Sequence, residues 1–330
     1  MVDHKNKKIL FYVHFNKYNK VEDYVIYQLQ QMRFIFDKII LISNSSVTRN
    51  DKKKFIGLYD VFIQRGNKGF DFAAWRDGFN KFGWNKLDKY DELTIMNDTC
   101  FGPIHDFSVI YDNMRLKKID FWGISNNIAL VNVVKDSSGN FVYTPEHIQS
   151  YYITFNKKTF LSDIFRNFWD NVQEYSDVSD VVVQYETKLT NTLINDGFTY
   201  DTYYNIKEHW KKNTVTQKDL DISLKNNNMK KYSPGYTVMR PLWLLETVNN
   251  YPFIKTKAIT MSSNQLNDIR QYISNNTKYP VRLMDSYIAN RIDDIIKAKE
   301  LQIKDIQSSR SYKIGRVVTY PWRIVKGWIR

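Results

Sequence analysis

From Lys8 to Phe15 the chain runs through β-branched and aromatic residues, the pattern of a buried central strand. Val21 to Phe34 then places Val21, Tyr24, Val25, Leu29 and Met32 at helical spacing. Asp37 to Ser43, with Ile39, Ile40, Leu41 and Ile42 in a row, predicts a second strand, and Tyr59 to Gln64 a third. Phe70 to Phe82 reads as a helix, Leu93 to Met96 as a strand and Ile104 to Met114 as a helix. Strands and helices alternating at these lengths predict an α/β fold, a mostly parallel sheet flanked by helices on both faces. Such sheets bind ligands beyond the carboxyl ends of their strands, where Arg65-Gly66-Asn67 and Asn97-Asp98 fall.

Further along, Phe121 to Ile124 and His147 to Phe155 read as strands, with a turn over Asp136-Ser137-Ser138-Gly139-Asn140 between them. Thr159 to Tyr175 and Val181 to Asn195 read as helices, the second stopped by Asp196-Gly197. Tyr204 to Lys231 is polar and rich in Lys and Asn, the composition of an insertion or lid. After Pro241 the pattern turns helical. Asp285 to Ile306 sets Ile288, Ile292, Ile295, Ile296 and Ile303 near one face. That face suits packing on its own domain, or an interface helix and hence a homodimer. Repeats and low-complexity segments are not seen.

The 330 residues accommodate one large domain or two ordinary ones. A 43% hydrophobic and 15% aromatic content is enough for a sizeable core. Tyr and Phe are plentiful at 23 and 20, with 8 Trp. These suit sugar stacking, although core packing is the commoner fate of any one of them, Trp75, Trp122 and Trp169 included. One cysteine, Cys100, leaves no internal disulfide and fits a reducing cytoplasm. The five histidines are scattered without metal-ligand spacing. No apolar stretch is long enough to span a membrane, and the apolar run after Lys8 is too short for a secretory signal.

A net charge of +13 admits nucleic acid, an anionic membrane or phosphorylated ligands as partners. No nucleic-acid motif accompanies it. Residues 311–330 carry Lys313, Arg316, Arg323, Lys326 and Arg330 and no acid, interleaved with Ile314, Val317, Val318, Trp322, Ile324, Val325, Trp328 and Ile329. Basic residues among Trp and aliphatics predict a segment lying in a membrane interface, against the plainer reading of a basic tail packed on the domain.

Chemistry concentrates between Arg65 and Pro103. Asn67-Lys68-Gly69-Phe70-Asp71 is a glycine-hinged polar loop, Trp75-Arg76-Asp77-Gly78 lies in the helix that follows, and Asn97-Asp98-Thr99 ends the next strand. A nucleotide-sugar transferase needs that order: loop and helix start hold the nucleotide, and the acidic strand end meets a diphosphate, usually through a divalent metal. Asn67, Lys68, Gly69, Asp71, Arg76, Asn97 and Asp98 are the candidate donor-binding residues, with Asp98 the candidate metal ligand and Asp71 a contact to base or ribose. Helix capping is the alternative duty of both aspartates. Direct transfer also needs a base for the acceptor hydroxyl. Glu186, Asp120 and His147 are the candidates.

Asn67-Lys68-Gly69 with Asp71, Asn97-Asp98-Thr99 with Gly102-Pro103, Asp120-Phe121-Trp122-Gly123, His147 with Gln149-Ser150-Tyr151-Tyr152, Phe168-Trp169 and Tyr251-Pro252-Phe253-Ile254-Lys255 together resemble the rhamnan synthesis protein F family over about residues 8 to 260. The early part is also similar to the general glycosyltransferase A-type pattern. The resemblance implies an A-type catalytic domain over 1–255 and a helical C-terminal region over 256–330. It also implies inverting transfer of rhamnose or a related deoxysugar from dTDP-rhamnose to a lipid-linked or growing cell-wall or capsular polysaccharide. The expected location is cytoplasmic, peripheral on the inner face of the cell membrane.

One departure stands out. The A-type element usually has two aspartates flanking one residue, whereas Asn97-Asp98-Thr99 has one carboxylate. An amide, one carboxylate and diphosphate oxygens hold Mg²⁺ or Mn²⁺ more weakly than two carboxylates do. Lys68 or Arg76 neutralising the diphosphate is the alternative. Two other function classes remain open, a sugar-phosphate transferase and a non-enzymatic binder of anionic polymers.

Overall fold

Apolar runs with no polar alternation demand cover on both faces, and the sheet supplies it. The computed structural model describes residues 6–127, 133–206, 241–261 and 266–292, with Glu208, Ile296, Glu300, Ile303, Lys304 and Ser308 as single positions. Strands β1 (Lys8–His14), β2 (Lys38–Ser43), β3 (Val61–Gln64) and β4 (Glu92–Asn97) are mutually parallel, in the order β3-β2-β1-β4. Phe11 sits opposite both Ile40 and Ile95, in the middle of the core.

Helices α1 (Asp23–Arg33), α2 (Arg49–Lys54) and α3 (Phe70–Phe82) connect these strands. Asp23 in the first turn of α1 and Arg33 in its last turn complement the helix dipole, and Thr48 caps α2 by accepting from the Asp51 amide. α3 buries Phe72, Ala73, Ala74, Trp75, Gly78 and Phe79. Gly78 lets the helix approach the sheet, since a Cβ there would lie 2.4 Å from Ile42 Cδ1.

Beyond β4 come β5 (Cys100–Phe101), α4 (Phe107–Arg115), β6 (Phe121–Asn127), the hairpin β7 (Val133–Lys135) and β8 (Phe141–Tyr143), β9 (His147–Ile148) and β10 (Tyr152–Asn156). The expected turn at 136–140 is present, closed by Asp136 accepting from the Asn140 amide at 2.7 Å. β10 inserts antiparallel between β4 and β6, and β11 (Tyr200–Tyr204) adds parallel to β6. The sheet is therefore mostly parallel with helices on its faces, as expected.

Two elements divide where single ones were expected. His147 to Phe155 breaks into β9 and β10, because β9 pairs with the end of β6 while β10 crosses to β4. Thr159 to Tyr175 breaks into α5 (Lys157–Phe160) and α6 (Asp163–Asp170), because Ser162 turns extended and caps α6 through the Phe165 amide. Short helix α7 (Val178–Val181), a π-helical turn over Val182–Glu186 and α8 (Thr187–Asn195) follow.

Trp75 and Trp169 are fully buried and Trp122 is 5% exposed, so all three are core residues. Trp169 stacks on Phe72 with centroids 5.6 Å apart, and Trp75 donates its indole N–H to the Phe11 carbonyl.

Later elements are α9 (Pro241–Thr247), β12 (Ile254–Lys255), α10 (Thr256–Met261), α11 (Leu266–Asn276) and α12 (Arg282–Ala289). One compact unit runs from Met1 to Leu283 and a second from Met284 to Arg330. The expected boundary at 255 lies inside the first unit, where β12 pairs antiparallel with β5 and the Thr256 amide donates to the Thr99 carbonyl. Of the second unit the described residues are 284–292 and Ile296, Glu300, Ile303, Lys304 and Ser308. The expected polar insertion, past Ile206 and apart from Glu208, part of the 285–306 helix and the whole 311–330 tail lie outside the described residues. Among the described residues no helix is long and apolar enough to cross a membrane.

Candidate functional site

Because β1 to β4 are parallel, the segments after all four emerge at one end of the sheet. There the strand end Asn97-Asp98-Thr99 holds three different partners. Asn97 donates its side-chain amide to Asp71 Oδ2 at 2.8 Å, tying the strand end to the first turn of α3. Asp98 Oδ2 accepts from His14 Nδ1 at 2.7 Å and from the Phe15 amide at 3.0 Å, tying it to the end of β1. Thr99 Oγ1 donates to Asn97 Oδ1 at 2.6 Å and accepts from Lys255 Nζ at 3.2 Å. An unbroken relay therefore runs from Lys255 through Thr99 and Asn97 to Asp71.

Gly69 makes the start of α3 possible. It is left-handed, with φ 67°, and a Cβ there would meet Ala73 Cβ at 2.6 Å and Glu174 Cα at 2.9 Å. The chain thereby turns straight into α3 and presents Asp71 to Asn97. Asn67 is half-buried and accepts from the Asn44 side-chain amide at 3.0 Å, while Lys68 is exposed. Arg65 orders this loop, reaching Asn44 Oδ1, the Lys68 carbonyl and Asp77.

The electrostatics follow from this crowding. Burial and the nearby negative Asp98 push the Asp71 carboxyl up to about 7, against the Asn97 hydrogen bond and the positive Lys255. Glu186 adds a smaller upward push, so its carboxylate is also within electrostatic reach of Asp71. Glu186 lies at the end of the π-helical turn, half-buried, and accepts from the Ser150 amide at 3.0 Å. π-Helical turns within α-helices are frequent at functional sites. Ser150 leads into Tyr151, whose hydroxyl joins Ser125 at 2.8 Å and Tyr251 at 3.2 Å.

Two expected residues stand elsewhere. Arg76 is half-buried, its guanidinium engaged by Asp77, Glu174 and the Val172 carbonyl, and nothing brings it to Asp98. Asp120 lies at the opposite end of the sheet: it precedes Phe121, which aligns with Phe155, and Phe155 aligns with Leu93 at the start of β4. Its carboxylate accepts from Thr199 and Asn156. Although burial opposes its charge, those bonds and Lys158 hold it below its ordinary value. His147 pairs with Asn127 at the carboxyl end of β6, the same end of the sheet as Asp98, where it is buried with Nδ1 2.7 Å from the Pro145 carbonyl. A groove of about 840 Å³ between α1, the 104–108 segment and the end of α11 is lined by none of the candidate residues.

The donor set does not form a ready metal cage. Asp98 Oδ2 already takes two hydrogen bonds and Asn97 Oδ1 takes the Thr99 hydroxyl and amide. No group of three or more His, Cys, Asp or Glu residues among the described residues is placed to hold a metal ion. The cation that the fold does deliver here is Lys255, which the sequence reading did not single out, and His14 was equally missed.

The sequence model of the rhamnan synthesis protein F family matches residues 39–313. An uncharacterized protein of Sinorhizobium fredii is 26% identical over 50% of this chain and 40% of its own length. Virulence protein VirA of Vibrio anguillarum is 29% identical over 38% of this chain and 36% of its own length. The chain thus spans less than half the length of these relatives. Among solved structures, a putative nucleotide-diphospho-sugar transferase of Desulfovibrio desulfuricans is 14% identical, covering 69% of this chain and 92% of that one, with a TM-score of 0.34.

Proposed function

The chain belongs to the rhamnan synthesis protein F family, and from that premise we propose that it is a glycosyltransferase whose donor site is the sheet end around Asp71, Asn97 and Asp98. The observation that carries the reading is the Asn97–Asp71 hydrogen bond, which joins the acidic strand end to the start of the helix after the glycine loop. Nucleotide-sugar binding needs those two pieces side by side. The donor is dTDP-rhamnose or a related deoxysugar nucleotide, and the acceptor a lipid-linked or growing polysaccharide at the inner face of the cell membrane.

In this reading transfer inverts the anomeric centre. The acceptor hydroxyl oxygen bonds to the anomeric carbon as the bond from that carbon to the diphosphate oxygen breaks. The electron pair leaves with the diphosphate. The acceptor proton passes to Glu186, whose carboxylate is held by the Ser150 amide and whose charge acts on Asp71. Asp71 and Asn97 hold the nucleoside and Asp98 faces the diphosphate. Asp120, at the opposite end of the sheet, takes no part, and His147, held by the Pro145 carbonyl, is the alternative base.

The test is a binding titration against dTDP-rhamnose, UDP-glucose and GDP-mannose, with and without Mg²⁺ or Mn²⁺, with Asp98→Ala alongside. Preferential dTDP-rhamnose binding that the variant loses supports the reading. Binding to none of the three, with salt-sensitive binding to DNA, would replace it with the anionic-polymer reading.

A further inference from the structure

Of the cations in the donor loop and strand end, Arg65 and Arg76 are spent on Asp77 and Glu174, and Lys68 points its exposed side chain from the loop. Lys255 is different. Its strand β12 pairs with β5, setting Lys255 beside Cys100, and Thr256 is bonded to the Thr99 carbonyl through both its amide and its hydroxyl. Phe253 packs against Phe107 and Tyr152, so the segment is held on both sides. The ammonium lies 4.3 Å over the Tyr151 ring and 3.2 Å from Thr99 Oγ1, and it acts electrostatically on Asp71. It is half-buried, with no carboxylate bonded to it among the described residues.

We propose that Lys255 is the catalytic cation of the donor site, taking the place of the divalent metal by binding the nucleoside diphosphate and stabilising the charge it gains as the glycosidic bond to it breaks. This rests on the donor-site reading above. An ammonium fixed beside the strand end supplies charge where the leaving group develops it, with no reorganisation during reaction. A neutral hydroxyl and a ring face hold the ammonium but do not neutralise it, so its charge stays available to an incoming anion. The second aspartate missing from Asn97-Asp98-Thr99 fits the same arrangement: a lysine-held diphosphate needs no second carboxylate, which would compete with it for the ammonium.

The experiment measures dTDP, UDP and GDP affinity by calorimetry in excess EDTA for wild type, Lys255→Met, Lys255→Gln and Lys255→Arg, with turnover of the matching nucleotide sugar and urea denaturation of each. Wild type should bind its preferred diphosphate in EDTA. Both neutral variants should lose at least about tenfold in diphosphate affinity and more in kcat, as loss of a charge-assisted bond predicts. Arginine should restore affinity to within about threefold. The two neutral variants keep the test open if one folds poorly. Wild-type affinity that vanishes in EDTA, or neutral variants that bind and turn over like wild type, would overturn the proposal while leaving the donor site standing. A wild-type protein that binds none of the three diphosphates under any condition removes the donor-site reading, and the role of Lys255 falls with it.

Discussion

His14 Nδ1 stands 2.7 Å from Asp98 Oδ2, and both residues are buried. The imidazole sits at the last position of β1 and the carboxylate one residue past β4, so one hydrogen bond locks two adjacent strand ends. Nε2 of the same ring finds no partner among the described residues, so the ring's polar function is directed at Asp98. His14→Ala should leave the Asp98 carboxylate with the Phe15 amide. The expected cost is about 1–3 kcal/mol in urea denaturation, the range for a buried group losing its partner. Donor affinity should fall with it because the carboxylate is no longer aimed. Unchanged stability together with unchanged dTDP-rhamnose binding would show that His14 positions nothing.

Asp71 gives the site a pH signature. Its carboxyl is raised to about 7 in the folded chain, chiefly by burial and then by Asp98, from an ordinary value near 3.8. Between those values the folded state holds a proton that the unfolded state has lost, so the contribution of Asp71 to stability falls as pH rises from about 4 to 7 and levels off above. Asp71→Asn should flatten that slope and be more stable than wild type by about 1–3 kcal/mol at pH 8, the part-exposed residue giving less than a full conversion. Chemical denaturation at pH 5 and pH 8 checks it. A difference between wild type and variant that stays constant from pH 5 to pH 8 would mean that the Asp71 carboxyl is not raised.

Gly69 is the hinge on which the loop turns into α3. Gly69→Ala combines a left-handed φ of 67° with contacts of 2.6 and 2.9 Å, the second to backbone. Destabilisation of roughly 1–3 kcal/mol follows, with donor binding weakened because Asp71 shifts from Asn97. Differential scanning fluorimetry and a dTDP titration of this variant read both effects. Full stability would mean that α3 and the 174 segment move aside freely.

Much of this was legible from pattern alone. The α3 limits Phe70 and Phe82, β1 and the order of loop, helix and acidic strand follow from local spacing, which the core then enforces. The site's other half was not. Lys255 reaches Thr99 across 156 positions of sequence, and only the β5–β12 pairing places it there. Asp120 was misplaced because its motif carries no sign of strand direction. The antiparallel β10 between β4 and β6 decides that the start of β6 faces away from Asp98. His14 was passed over among the scattered histidines, although a polar residue at a strand's carboxyl end is where an α/β sheet places its chemistry.

The basic, Trp-containing segment 311–330 remains a reading of sequence. Its removal should release the protein from anionic liposomes and leave dTDP-rhamnose binding intact, since a surface anchor contributes charge attraction and apolar burial rather than donor contacts. Vesicle sedimentation of full-length and shortened protein measures this. Equal sedimentation of the two would remove the membrane from the proposed function.

Glu186 carries the boldest assignment. Its side chain accepts from the Ser150 amide at 3.0 Å, which fixes the carboxylate, and the next residue, Tyr151, accepts from the Asn97 amide at 3.3 Å, which ties it to the proposed donor site. Glu186→Gln keeps the shape and removes the basicity, so the acceptor proton has no destination when the new bond forms. Transfer should fall by about 10²–10⁴-fold, while dTDP-rhamnose affinity stays within about threefold, because the change touches the step and not the donor. The pH profile separates this from mere misplacement. A variant that lost only positioning would keep the wild-type acid limb, whereas a variant that lost the base should lose that limb with its activity. Transfer at the wild-type rate in Glu186→Gln would place the base on another group, and Asp71, with its carboxyl near 7, would be the residue to substitute next.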